Sequence, residues 1–141
     1  MLELVYNSNS ITDLEEDDLL AIQNISGDTN SKIGITGCLF YDKSEFVGIM
    51  EGKVENVEQL FLKIESDNRH GDISILAKGP IAERQFGEWG MISVIDPVGS
   101  VNKADHDLLV ANILGLARLA EKDTHGSKVF WHTVEKILEE D

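Results

Sequence analysis

The run IGITGCLFY at 33–41 constrains the fold more than any other stretch of this chain. It is apolar and β-prone throughout, which predicts a buried strand, and Asp42-Lys43-Ser44 turns it back into EFVGIME at 45–51 as a hairpin. A hairpin this apolar needs a covering layer on each side. Val54, Val57, Leu60, Phe61 and Ile64 recur at helical spacing and predict an amphipathic helix over 53–66. An earlier helix is expected from the capping-box spacing Thr12-Asp13-Leu14-Glu15, with Leu19, Ile22 and Ile25 on one face up to Ser26 and a stop at Gly27-Asp28. LELVY at 2–6, Ile73 to Ala77 and EWGMISVI at 88–95 read as further strands, the middle one stopping before Gly79-Pro80. The order β-α-β-β-α-β-β predicts an α+β, ferredoxin-like sandwich, with both helices on one face of a mostly antiparallel sheet.

A break at Asp96-Pro97-Val98-Gly99-Ser100 separates this region, 1–96, from a helical extension at 97–141. One helix is expected over 103–121, carrying Leu108, Leu109, Ile113 and Leu116. A second is expected over 127–140, capped by Ser127 and carrying Phe130, Val134, Ile137 and Leu138. This pair can cover the second face of the sheet, which would otherwise expose apolar side chains.

With 141 residues, 42% apolar and 27% charged, the chain has the size and composition of one globular domain. Its 12 basic and 26 acidic residues leave a net charge of −14, which disfavours nucleic acid and anionic lipid as partners. MLELVYNSNS lacks the basic region of a secretory signal, no apolar run approaches bilayer length, and a single cysteine suits a reducing compartment. A cytoplasmic protein is therefore expected.

The sequence is poor in catalytic constellations. His70, His106, His125 and His132 have no metal-ligand spacing, and Cys38 falls in the buried strand as a small hydrophobe. Gly34-Ile35-Thr36-Gly37 is too short for a phosphate cradle. An acylphosphatase-type enzyme on this fold would need an arginine in an anion-binding loop after the first strand, and Asn7-Ser8-Asn9-Ser10 has none. No enzyme and no metal site are expected.

Several ordered strings carry more information. Tyr6 and Ser8 are followed by Asn30-Ser31-Lys32-Ile33-Gly34-Ile35-Thr36-Gly37, by Phe40-Tyr41, Phe46 and Met50-Glu51-Gly52, by Asp67-Asn68-Arg69-His70, and by Ile81 to Phe86 leading to Trp89-Gly90-Met91. In this order and at these intervals, over residues 2–95, the set resembles the BLUF family of flavin-using blue-light sensors. The resemblance implies an isoalloxazine ring between the two helices, with Ile22 and Ile64 on its faces and Phe46 beside them. It implies Asn30 at the polar ring edge, and Asp67, Arg69 and His70 near the ring edge and ribityl-phosphate chain. Tyr6 would be the redox tyrosine, and Trp89 and Met91 would lie on the strand that carries the signal out. A flat apolar plate with one polar edge suits such walls.

The resemblance fails at the centre of the family's photoswitch. There a glutamine, two residues after the hairpin phenylalanine, bridges the tyrosine and the flavin, and its rearrangement produces a red shift. The corresponding residue here is Gly48. Thr29 also stands where several relatives have histidine or asparagine. The expectation is a sensor binding FAD, with FMN or riboflavin as alternatives, that has an impaired or absent switch. It would signal by protein–protein contact to an unspecified partner and form a homo-oligomer. The alternative is a flavin-free interaction or regulatory module on the same fold.

Overall fold

A computed structural model describes residues 1–10, 33–42, 44–67, 70–86, 91–95, 111–112, 115 and 124–139. Its elements in chain order are strands β1 (Leu2–Ser10), β2 (Thr36–Asp42) and β3 (Glu45–Gly52), helix α1 (Val54–Ser66), strands β4 (His70–Pro80) and β5 (Met91–Ile95), and helix α2 (His125–Glu139). The strands form one sheet in the order β4-β1-β3-β2-β5. Neighbours are antiparallel except β2 and β5, which run parallel with Gly37 opposite Met91.

The central hairpin is as buried as its sequence predicts: every residue from Gly37 to Asp42 and from Phe46 to Gly52 is buried. The alternation of strand side chains sorts them into two cores. Leu2, Leu4, Tyr6 and Met50 pack with Ile35 and with Val57 and Phe61 of α1. Val5, Cys38, Phe40, Val47 and Ile49 pack with Phe86 and with Phe130, Trp131, Val134, Ile137 and Leu138 of α2. The two described helices therefore cover opposite faces of the sheet. This is the role expected for the second tail helix. The predicted helices at 14–26 and 103–121 lie outside the described residues, apart from three helical positions in the latter, Ala111, Asn112 and Gly115.

Several element boundaries differ from the sequence expectation. β1 continues to Ser10, because β3 and β4 both pair with its polar half, so Tyr6 lies mid-strand. β4 runs through Gly79 and Pro80 against Glu3 and Leu2, at the sheet edge where proline is tolerated. It absorbs two register shifts against β1, and Asp72, with φ of 52°, falls within the second. His70 does not close α1; it opens β4 opposite Ser10. The α2 cap is Thr124, not Ser127. The Thr124 hydroxyl oxygen accepts from the Ser127 N–H at 3.1 Å and the Ser127 hydroxyl accepts from the Thr124 N–H at 3.3 Å, a reciprocal box one turn earlier than expected.

Candidate functional site

β1 and β3 bring the first pair of predicted site residues into register: Tyr6 lies directly opposite Gly48. A Cβ placed on Gly48 would meet the Tyr6 ring, at 2.6 Å from Cζ and 2.8 Å from the hydroxyl oxygen. The space a side chain would fill at position 48 is occupied by the phenol, and only glycine accommodates that approach. Leu39 of β2 flanks Gly48 on its other side, so the Gly48 backbone is enclosed by ladders on both edges.

Tyr6 is buried at 5% exposure, and burial raises its phenol pKa well above the usual tyrosine value, so the group keeps its proton at neutral pH. The Phe61 ring meets it edge-on, with centroids 5.9 Å apart and planes at 60°. Around this pair Leu60 and Ile64 of α1 and Ile73 of β4 pack on the core but remain partly exposed. They form an apolar shelf beside a neutral phenol. Phe46 is buried next to Ser8 in register and packs on Tyr41 with centroids 4.5 Å apart. Asp67 is half-buried at the end of α1, where its N–H bonds the Ile64 carbonyl at 3.1 Å.

Of the predicted site residues, Tyr6, Phe46, Gly48, Ile64 and Asp67 are described, and Tyr6, Gly48 and Ile64 converge on the α1 side of the sheet. For His70 and Met91 the strand positions alone are described. Ile22, Asn30, Arg69 and Trp89 lie outside the described residues. Phe61 and Leu60 escaped the sequence-based site, although their spacing from Ile64 is helical. Among the described residues no group of histidine, cysteine and acidic side chains could hold a metal ion.

The sequence reading also missed two buried carboxylates. Glu3 and Glu51 face each other across β1 and β3 on the α2 side. Glu51 accepts from the Thr36 hydroxyl and from the Gln85 and Phe86 N–H groups, each at 2.7 Å. Arg84 donates to the Thr36 hydroxyl at 2.9 Å and to the Glu51 carbonyl at 3.2 Å. This pins the 84–86 segment that leads towards β5. Glu3 accepts from the Thr124 hydroxyl at 2.7 Å and the Gly126 N–H at 3.1 Å, and so fastens the start of α2 to β1. The signal for both was a glutamate inside an apolar strand, a placement that requires hydrogen-bond partners.

The fold and site thus define a two-faced α+β sheet whose chemistry is a buried tyrosine beside an apolar helix wall. The chain belongs to the BLUF family, sensors of blue light using FAD, whose profile matches residues 1–92. Residues on the described side suit that cofactor: the phenol is neutral and the shelf of Leu60, Ile64 and Ile73 is apolar and incompletely covered.

The photoactivated adenylate cyclase subunit alpha of Euglena gracilis is 42% identical over 62 residues, which are 44% of this chain and 6% of that protein. Among solved structures, the dark-state BLUF protein BlrB is 27% identical with a TM-score of 0.70 and covers 96% of each chain. Klebsiella pneumoniae BlrP1 is 27% identical with a TM-score of 0.72, covering 99% of this chain and 34% of its own. The chain therefore spans a small fraction of the curated relatives. The matched region is the sensory part, not a cyclase. These matches favour the flavin-binding reading over the flavin-free one.

Proposed function

We propose that this chain holds a flavin against the Tyr6 face of the sheet and responds to blue light without the family's amide switch. The observation that carries this reading is the Tyr6 ring lying over Gly48. Bound flavin would supply blue-light absorption and an electron-accepting ring. Ile22 and Ile64 would bracket the ring, Phe46 would pack beside it, and Asn30 would bond its polar edge. Asp67, Arg69 and His70 would serve the ring edge and the phosphate chain.

Tyr6 would present a neutral O–H within the apolar site, available as a hydrogen-bond donor and as a source of an electron and a proton. Gly48 offers no side-chain group to exchange partners with Tyr6. A change that starts at Tyr6 on β1 would cross β3 and β2 to reach β5, with Trp89 and Met91 on the outgoing path to the 97–141 extension. A separate protein partner, a cytoplasmic location and independence from nucleic acid and membranes complete the reading. In its support, no helix among the described residues is long and apolar enough to cross a membrane.

The test is a light-minus-dark spectrum of the flavin-loaded protein, with Tyr6→Phe as control. The expected result is retained flavin, no reversible red shift in the wild type, and longer-lived flavin fluorescence in the control. A normal reversible red shift in the wild type would overturn the account of Gly48. Failure to hold flavin after reconstitution would overturn the cofactor assignment. Asn30→Ala should weaken flavin retention by about 1–3 kcal/mol, the cost of leaving a buried polar edge unpaired. Equilibrium titration measures this directly.

A further inference from the structure

Residues 81–86 form neither strand nor helix, yet Phe86 at their end is buried. Its ring lies beside Trp131 with centroids 6.3 Å apart and planes at 29°, and meets Phe130 edge-on at 6.2 Å. Phe130 and Trp131 stand edge to face, 5.0 Å apart with planes at 78°. The three rings make one aromatic cluster between the segment that leads to β5 and the second turn of α2.

No strand or helix ladder fixes the backbone beneath the Phe86 ring. The Glu51 carboxylate does so instead: one oxygen accepts the Phe86 N–H and the other accepts the Gln85 N–H, each at 2.7 Å. Glu51 is fully buried, so water does not compete for these bonds. β3 links this anchor to the Tyr6 site, because Met50 packs in the tyrosine core on one face and Glu51, the next residue, points to the other. On the helix side, Trp131 is buried and its indole N–H has no hydrogen-bond partner among the described residues, so packing alone positions that ring.

We infer that Glu51 and Phe86 are positioning residues acting in series on α2. Glu51 holds the backbone of Gln85 and Phe86, and Phe86 in turn holds Phe130 and Trp131. A displacement of the segment that leads to β5 therefore shifts the second turn of α2, because close-packed rings pass on movement instead of absorbing it. Glu3 is a separate fastening: it fixes the start of the helix at Thr124 and Gly126 and does not touch the 84–86 segment. The serial arrangement leaves the helix start anchored while its second turn follows Phe86. Use of this link as the outgoing path of a light signal rests on the sensor reading above, whereas the link itself requires neither flavin nor light.

Native-state hydrogen exchange of the full chain, in the dark and without added flavin, tests the link independently of the cofactor assignment. Glu51→Gln leaves one acceptor oxygen and so loses at least one of the two backbone bonds. The opening constants of α2 amides at 130–135 should rise about tenfold, while α1 amides at 58–64 change by less than about twofold. Phe86→Leu removes the ring contacts and should give a similar rise in the same amides. The double variant should exceed either single one by no more than about twofold, since one link is then broken at two places. Glu51→Asp keeps a carboxylate one methylene shorter, should give a smaller rise at the same amides, and carries the test if the amide variant does not fold. Effects that multiply to about a hundredfold in the double variant would show two independent contacts and overturn the inference. Equal rises in α1 and α2, or α2 amides unmoved in the folded variants, would overturn it as well.

Discussion

Gly48 and Tyr6 act as one unit. The missing Cβ is what lets the phenol ring sit where it does, and the atoms it would strike are ring carbons as well as the hydroxyl. Gly48→Ala should therefore destabilise the fold by about 1–3 kcal/mol, the usual cost of overpacking a filled core. Tyr6→Phe should not relieve that cost, because the ring remains, whereas Tyr6→Ala should remove most of it. A double-mutant cycle by urea denaturation measures the coupling. Gly48→Gln, which would restore the family's amide, collides with the same ring. It is expected to displace Tyr6 first, and any gain in photoswitching would require that displacement. Gly37 is glycine for a different reason. Its φ of 154° is one that L side chains rarely adopt, and a Cβ there would run into the Ile49 carbonyl.

The attachment of α2 is decided by one buried carboxylate. Glu3 meets the Thr124 hydroxyl and the Gly126 N–H at the helix start, where the dipole favours negative charge. Burial raises the Glu3 pKa above its ordinary 4.5, opposed by the bonds from Thr124 and Gly126 and reinforced by the facing Glu51. The folded chain thus holds this proton more tightly than the unfolded chain. The stabilisation from Glu3 is fully present below pH 4.5 and is lost as pH rises through the folded value. Glu3→Gln keeps an acceptor for the Gly126 N–H and removes the buried charge, so it should change stability at pH 7 by less than about 1 kcal/mol and flatten this acid-side slope. Glu3→Ala leaves both donors unmet and should cost about 1–3 kcal/mol. Thermal unfolding from pH 4 to 8 separates the two. At Gly126 a Cβ would strike the Glu3 carboxylate, so Gly126→Ala should loosen α2 as well.

At the scale of the molecule, the sheet depends on cover from both sides. Removing residues 98–141 would uncover Val5, Cys38, Phe40, Val47, Ile49 and Phe86, all of which pack against α2 or its neighbours in one core. The truncated chain is expected to aggregate and to bind a hydrophobic dye, as a continuous apolar face of that size does in water. Light scattering and dye fluorescence would report it. A soluble, equally stable truncated monomer would mean that the sheet does not need this helix. Cys38 shares this core; burial pushes its thiol pKa up to about 12, in keeping with a packing role for that side chain.

The sequence alone determined what local periodicity and a chain-long ordered pattern can carry. The buried hairpin, the amphipathic helix at 53–66, the apolar face of 127–140 and the family resemblance through Tyr6, Phe46 and Met50-Glu51-Gly52 were all legible, because each rests on residues a few positions apart or on strings kept in order. Strand ends were less legible: β1 and β4 extend through polar residues because neighbouring strands satisfy their backbone groups, and local propensity contains no such neighbours. The same limit hid Thr124 as the cap, whose hydroxyl is also bound by a glutamate 121 residues away. Only the tertiary structure decided that Tyr6 fills the space above Gly48, that Glu3 and Glu51 each fasten a distant segment, and that the two described helices cover opposite faces of the sheet. Those facts depend on strand register and on burial shared between remote segments, and register is set by the packing of the whole core.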